Sequence, residues 1–308
     1  MSKISKLGLG IVAFEGTEHL KNITYELRDL CDTITVCLQQ TSYHGEPIKE
    51  EDIKVVENLK NLGYIDTIIW FEPTDFHKDK PEGDAPRIIE TDKRNFICDY
   101  LEKECSCSHI MVIDSDEFYH HDDFQRAKEN YNNDDNMHIA YCEYTNYYRD
   151  YRHLMVWPFR SYVPFIAEAK YRFDFEKGNF TQPSDPTRRY YIDPKAKMNY
   201  FNIFDWSIVK MHHLSWIRLK IETKINAWSS KKLFSNYETL KQDILDRYYN
   251  YQDGLNAILM FNVPYNQVKV NKLPKQYIHP HFRLDEEPVM PYLQEKSKID
   301  RSNKQIVD

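Results

Sequence analysis

The sequence predicts an α/β protein with a mostly parallel central sheet flanked by helices. Up to Asp114, apolar strand-like segments alternate four times with segments of helical character, the arrangement typical of parallel sheets. Ligands of such open sheets bind outside the carboxyl ends of the strands. The predicted strands are Leu7 to Phe14, Thr33 to Gln39, YIDTIIWF and Ile110 to Ile113.

The predicted helices lie between these strands. One runs from Thr17 to about Leu30, and EEDIKVVENLKNLG places apolar residues at helical spacing before Gly63, a C-cap residue. A Pro- and Asp-rich loop from Glu72 to Pro86 precedes a third helix, RIIETDKRNFICDYLEKE.

The second half of the chain has a different composition. Aromatic-rich strand-like segments such as HIAYCEYTNYY and WSIVKMHHLSW are followed by the helical patterns IRLKIETKINAWSSKKLF and YETLKQDILDRYYNY. We therefore expect residues 1–135 and residues 136–273 to be two halves of one domain, and residues 274–308 to be a polar tail.

Composition and charge limit the function classes. Of the residues, 41% are hydrophobic, which predicts a packed core, and the net charge of -7 provides no general field for nucleic acid. Nucleic acid is therefore an unsupported partner.

No apolar run reaches the length of a spanning helix and no cleavable leader is recognisable, so we expect a cytoplasmic protein. The six cysteines contain no CxxC pair and are expected to be reduced thiols.

The segment IMVIDSDEF carries the main chemical signal. In an extended chain alternate side chains share a face, so Asp114 and Asp116 project together while Ser115 points the other way. Paired carboxylates of this kind suit Mg²⁺ or Mn²⁺, which complete their coordination with water and phosphate oxygens. The sequence therefore predicts a site for a divalent ion and a diphosphate at the end of the fourth strand.

This segment resembles the DxD motif of family-2-like glycosyltransferases with the GT-A fold. GIVAFEGTEHL is similar to the first strand and turn of that family, ETDKRNF to its nucleotide-binding basic element, and KMHHLSWIRLKIETK to its late metal and phosphate loop. The resemblance implies a GT-A (Rossmann-like) fold and transfer of a sugar from a nucleotide-diphosphate sugar, with a UDP-sugar favoured. It also implies that residues 1–135 bind the nucleotide-sugar and that residues 136–273 bind the acceptor and complete the metal site.

The resemblance also implies roles for particular residues. Asp114 is expected near the ribose or sugar and at the metal, Asp116 as the principal metal ligand, and His213 as a third ligand, with His212 as the competing choice. An imidazole ligand favours Mn²⁺ over a purely oxygen-bound ion. The expected donor-binding residues are Glu15, Lys93, Arg94, Arg218 and Lys224.

The catalytic base and the acceptor are less determined. Glu168 is the predicted base for an inverting reaction, with Glu143 and Asp174 as alternatives, but the sequence does not decide between inversion and retention. The favoured acceptor is a hydroxyl of a saccharide or glycoconjugate. Alternative functions are a phage-type transfer to modified DNA bases, a nucleotidyltransferase, and a non-catalytic metal-binding module. A haloacid-dehalogenase-type phosphatase is disfavoured because its DxD lies on the first strand.

Overall fold

The computed structural model describes residues 3–43, 45–73, 84–157, 160–193, 195, 201–227, 236–258 and 267–273. All of them belong to one compact unit, Met1–Ile278. The predicted tail, 274–308, lies outside the described residues. None of the helices in the described ranges is long and apolar enough to cross a membrane.

The first half forms the parallel part of the sheet. Strands β1 (Leu7–Ala13), β2 (Thr33–Gln39), β3 (Thr67–Phe71) and β4 (His109–Asp114) run parallel in the spatial order β3-β2-β1-β4. The predicted strands are therefore present with nearly the expected bounds. The helices between them are α1 (Leu20–Leu27), preceded by a 3₁₀ turn (Thr17–His19), α2 (Glu50–Asn61) and α3 (Ala85–Lys103).

The second half adds antiparallel strands, so the whole sheet is mixed, with the predicted parallel part in the first half. The strands of this half are β5 (Glu117–Phe118), β6 (Ile139–Tyr148), β7 (Asp150–Val156), β8 (Tyr162–Glu168), β9 (Phe201–Phe204), β10 (Lys210–Trp216), β11 (Ala257–Ile258) and β12 (Gln267–Lys272), and the helices are α4 (His121–Asn132), α5 (Ile221–Ala227) and α6 (Tyr237–Tyr249). Next to β4 lies β8, which is antiparallel to it, and next to β8 lies β6, which is parallel to β4. The order then continues with β7, β12 and β11, each antiparallel to the strand before it.

Two local elements are not marked by the sequence pattern. The polar run HHDDF leads into α4 at His121, and acidic residues in the first turn of this helix favour its N-terminus. Glu117 lies in β5, paired with His213 of β10.

Small residues on β1 let α3 approach the sheet closely. A Cβ atom at Gly10 would lie 2.9 Å from Ile97 Cδ1, and one at Gly8 would lie 3.0 Å from Leu101 Cδ2. Ile97 is fully buried in the main core between α3 and the sheet. This close packing fixes α3, and with it Lys93 and Arg94, over the carboxyl ends of the strands.

A second apolar cluster joins α5 and α6 to the sheet and includes Trp216 and Tyr248. Beside it, His153 Nδ1 donates to Asp150 Oδ1 at 2.8 Å and its Nε2 donates to Asp253 Oδ1 at 2.9 Å. An imidazole with two carboxylate acceptors is held as imidazolium. The hydrogen bond to Asp150 foremost, and that to Asp253, raise the pKa of His153 against the opposing effect of burial.

Candidate functional site

The candidate site lies where the carboxyl ends of β1, β2 and β4 meet. From β1 the sheet extends to β2 on one side and to β4 on the other, and this reversal of strand order opens a crevice at the strand ends. Glu15 follows β1 and Asp114 ends β4. Ser115 Oγ donates to the carbonyl oxygen of Glu15 at 2.7 Å, which ties the two strand ends together.

Asp114 is held by two buried arginines. Arg94 Nη2 donates to both of its oxygens at 3.0 Å, and Arg188 donates to Oδ2. Arg188 also pairs with Glu117 at 2.5 Å. Burial works to raise the pKa of Asp114, but Arg188 and then Arg94 lower it below its ordinary value. Since both oxygens accept from guanidinium groups, this geometry makes Asp114 an anchor for the arginines.

Asp116 lies at the turn into β5 and is 8% exposed. Its Oδ2 accepts from Arg218 Nη2 at 2.5 Å, and its Oδ1 lies 3.5 Å from His213 Nε2. Burial opposes ionisation, yet Arg218 foremost and His213 hold the pKa of Asp116 well below its usual range. The carboxylate is therefore ionised at neutral pH.

The orientation of His213 depends on Asn146 of β6. His213 Nδ1 lies 2.7 Å from Asn146 Oδ1, an acceptor, so Nδ1 carries the hydrogen and donates it. With Nδ1 bound to Asn146, Nε2 of the ring is directed at Asp116 Oδ1. His212 points to the other face of β10, where its Nδ1 lies 2.8 Å from the Tyr147 hydroxyl. Of the two histidines, His213 is the one at the site.

Asp116 and His213 are positioned to supply two ligands to a divalent ion. Asp116 Oδ1 and His213 Nε2 face each other at 3.5 Å, and a divalent cation bound between them would take the place of any proton on Nε2. Mg²⁺ and Mn²⁺ commonly take few protein ligands and fill the other positions with water and phosphate. Within the described ranges there is no group of three or more His, Cys, Asp or Glu side chains arranged to hold a metal, so substrate oxygens would have to complete the coordination.

Arg218 lies against the backbone after β1. A Cβ atom at Gly16 would be 1.6 Å from Arg218 Nη1, and Gly16 has φ +75°, so glycine is required for both space and conformation. Arg218 Nε donates to the carbonyl of Ser215 at 3.1 Å, and its Nη1 lies 3.8 Å from Glu18 Oε2. The guanidinium is thereby fixed beside Asp116.

Two cavities, of about 240 and 430 Å³, share part of their lining, and the smaller one adjoins this arginine. Both are lined by Glu15, Lys49, Asp52 and Thr223, and the smaller one also by Gly16, Arg218 and Lys224. Burial raises the pKa of Glu15 and lowers the pKa of Lys224. Among the described residues, Glu15 Oε2 has no hydrogen-bond partner, so a donor on a ligand would satisfy it.

Lys93 lies on the other side of the crevice. Its Nζ donates to Gln39 Oε1, at the end of β2, at 2.9 Å, and lies 5.7 Å from the centre of the Tyr43 ring. Burial foremost lowers the pKa of Lys93. The structure therefore brings five of the expected donor-binding residues to one edge of the sheet, although Lys93 and Arg94 are already engaged by protein acceptors.

Glu168 does not belong to this group. It pairs with His109, at the amino end of β4, and so lies at the opposite edge of the sheet from Asp114. Its carboxylate contacts His138 and Lys170, each at 2.5 Å. Because β8 runs antiparallel to β4, its last residue falls at the edge away from the site, and the prediction of Glu168 as base is corrected.

The other two candidate bases are also engaged elsewhere. Glu143 is 7% exposed and its Oε1 accepts from Arg160 at 2.7 Å. Asp174 Oδ1 accepts from the backbone nitrogens of Glu176 and Lys177, which makes it a turn-capping residue. Neither carboxylate contacts Asp114 or Asp116.

Sequence reasoning missed Arg188 and Asn146. Arg188 lies in a 3₁₀ turn (Pro186–Arg188) in a segment without hydrophobic periodicity. Asn146 lies within a long aromatic strand, where no motif marks it. Only the pairing of β6 with β10, which sets Asn146 opposite His213, identifies it.

Comparisons with known proteins add little. No family model matches the chain, and no curated protein matches it. Among solved structures, a protein of Bacillus anthracis described as a glucose-1-phosphate thymidylyltransferase, in complex with a sucrose, is 10% identical, with 71% of this chain and 93% of that chain covered and a TM-score of 0.34. A similarity this weak carries no argument about function.

Proposed function

We propose that the chain is a metal-dependent glycosyltransferase that uses a nucleotide-diphosphate sugar, with a UDP-sugar favoured, and a hydroxyl of a saccharide or glycoconjugate as acceptor. The observation that carries the proposal is the pair Asp116 Oδ1 and His213 Nε2, 3.5 Å apart at the carboxyl edge of the sheet. The GT-A resemblance of the sequence and the strand order β3-β2-β1-β4 support it.

The charges around the pair suit a diphosphate. Arg218 and Lys224 line the cavity next to Asp116 together with Lys49 and Lys220. A guanidinium binds two phosphate oxygens at once, and burial strengthens such contacts by lowering the local dielectric. A divalent ion held by Asp116 and His213 would stabilise the negative charge on the leaving diphosphate.

The bond changes of the reaction are simple. The acceptor oxygen attacks the anomeric carbon, the bond from that carbon to the β-phosphate oxygen breaks, and the electron pair leaves with the nucleoside diphosphate. In an inverting transfer a carboxylate takes the acceptor proton. We assign that role to Asp185, in place of Glu168.

Asp185 is held close to the arginines of the site. Its Oδ1 accepts from both the backbone nitrogen and the hydroxyl of Thr187 at 2.9 Å, so Asp185 caps its turn as Asp174 does. The difference is that Arg188 of the Asp185 turn reaches Asp114. Burial works to lower the pKa of Arg188, while Asp114 foremost and Asp185 among others raise it well above normal. Asp185 is thus a partly exposed carboxylate beside the arginines at the carboxyl edge of the sheet.

The direct test is hydrolysis of UDP-sugars with and without Mn²⁺, with water as acceptor. We expect release of UDP that requires Mn²⁺ and is lost in Asp116→Asn, whereas Asp122→Asn, whose side chain is 95% exposed, behaves as wild type. Release of pyrophosphate from a nucleoside triphosphate and a sugar 1-phosphate would instead identify a nucleotidyltransferase. No reaction with either substrate set would favour a non-catalytic module.

The acceptor is tested in a second step. The donor and ion identified by hydrolysis are offered a panel of saccharides, glycoconjugates and DNA with hydroxylated bases. We expect transfer to a saccharide or glycoconjugate; transfer to the DNA alone would make this chain a DNA-modifying enzyme and contradict the proposed acceptor class.

A further inference from the structure

The Arg218 guanidinium occupies one side of the carboxylate that the proposed metal ion needs. It contacts Asp116 Oδ2 at 2.5 Å, is 5% exposed, and fills the space left by the missing side chain of Gly16. The remaining oxygen, Oδ1, faces His213. A divalent ion at Oδ1 would therefore meet a fixed positive charge bound to the same carboxylate.

Like charges this close repel strongly in a buried setting. A metal ion and the guanidinium consequently compete for Asp116, even though they bind to different oxygens. Each competitor has a second partner: the ion has His213, and Arg218 has a second carboxylate, Glu18, at 3.8 Å.

The cavity next to Arg218 offers the guanidinium another partner. The cavity is lined by Gly16, Arg218 and Lys224, and Arg218 Nε is anchored on the Ser215 carbonyl. Rotation of the outer side chain toward the cavity would bring its donors to an anion there. A diphosphate bound beside the ion would accept them in place of Asp116.

We propose that Arg218 is a positioning residue that holds Asp116 until a divalent ion takes this carboxylate, and then transfers to the diphosphate in the adjoining cavity. The exchange couples the two ligands, since an anion that draws Arg218 away removes the repulsion against the ion. This inference rests on the proposed function, because it assigns Arg218 a role at the same metal and diphosphate site.

The test uses Mn²⁺ and inorganic pyrophosphate as probes on the full chain. Free Mn²⁺ is measured by electron paramagnetic resonance in wild type, in Arg218→Met and in the control Arg126→Met, which removes the same charge from an exposed arginine paired with Asp123. We expect Arg218→Met to bind Mn²⁺ on the order of tenfold more tightly than wild type. Pyrophosphate should tighten Mn²⁺ binding in wild type and Arg126→Met but much less in Arg218→Met.

The outcomes separate this inference from the proposed function. Equal or weaker Mn²⁺ binding by a folded Arg218→Met, with wild type binding normally, would overturn the exchange and leave the metal site standing. No Mn²⁺ binding by any of the three proteins, with or without pyrophosphate, would overturn both. Binding by Arg218→Met alone in the absence of pyrophosphate, with wild type binding once pyrophosphate is added, would support the exchange in its strongest form.

A measurement on the wild-type chain covers the case in which Arg218→Met does not fold. The Nε–Hε signal of Arg218, in protein labelled with ¹⁵N-arginine and assigned with Arg218→Lys, is followed during titration with diamagnetic Mg²⁺ and pyrophosphate. The exchange predicts a shift of this signal when both are added. A signal that does not move at saturation by both would contradict it.

Discussion

The hydrogen bond between His213 and Asn146 allows the sharpest prediction about the metal site. Asn146→Ala removes the acceptor 2.7 Å from His213 Nδ1 and leaves the imidazole free to rotate or to carry its hydrogen on Nε2. Loss of an outer-shell partner of a metal-binding histidine typically weakens metal affinity 10- to 100-fold. We therefore expect Mn²⁺ binding to weaken by about 1.4 to 2.7 kcal/mol.

The assay is a calorimetric Mn²⁺ titration with pyrophosphate present, compared with Asn146→Asp. An aspartate keeps an acceptor for Nδ1 and should retain at least wild-type affinity, because a carboxylate partner increases the basicity of the ligand. Both variants should show wild-type circular dichroism. If Asn146→Ala binds Mn²⁺ as tightly as wild type, His213 is not the oriented ligand inferred from the geometry.

Three further predictions follow from other parts of the structure. Gly16→Ala should lower the free energy of unfolding in urea by at least about 1–2 kcal/mol, which is the cost of placing a residue with a side chain in the left-handed backbone region. The total loss should be larger than this, because the added Cβ would displace Arg218. His153→Asn should lower the free energy of unfolding by about 1–2 kcal/mol at pH 6 and by less at pH 9. The pKa of His153 is raised in the folded state, so its charged form stabilises the fold below pH 6.5, and this stabilisation is lost as the pH rises through the raised pKa. Asp185→Asn should slow sugar transfer on the order of 100-fold without weakening binding of UDP, whereas Glu168→Gln should leave transfer unchanged.

Each of these has a contradicting result. Gly63→Ala is the matched control for Gly16→Ala, since Gly63 also has positive φ but a Cβ there would meet nothing within 4 Å; equal losses would mean that Arg218 is not displaced. If the loss of unfolding free energy in His153→Asn does not become smaller as the pH rises, His153 is not held as an imidazolium. Transfer slowed equally by the Asp185 and Glu168 variants would refute the assignment of the base.

The parallel half of the fold is readable from the sequence because each element there is local. Hydrophobic runs bounded by turn residues define β1 to β4, and Gly63 follows α2 with φ +80°, as a C-cap glycine does. The expected strand Thr33 to Gln39 coincides with β2. α4 was missed because its polar residues hide a narrow apolar face, which includes Phe124 and Tyr131.

The candidate site is less readable, because it depends on which strands pair and in which direction. The resemblance prefers His213 and leaves His212 as the competing choice, and the alternation of side chains along β10 separates the two. Glu168 looked suitable as a carboxylate in a short strand, but the antiparallel direction of β8 puts it at the wrong edge. Arg188 is 74 residues from Asp114, a separation over which no local pattern carries information.

The central claim is that Asp116 and His213 hold a divalent ion that binds the donor's diphosphate. Anomalous diffraction from crystals soaked with Mn²⁺ and UDP tests it most directly. We expect a single manganese peak within about 2.5 Å of Asp116 Oδ1 and His213 Nε2, with diphosphate oxygens completing its coordination. A manganese peak at other side chains, or none at these two with UDP bound, would contradict the claim.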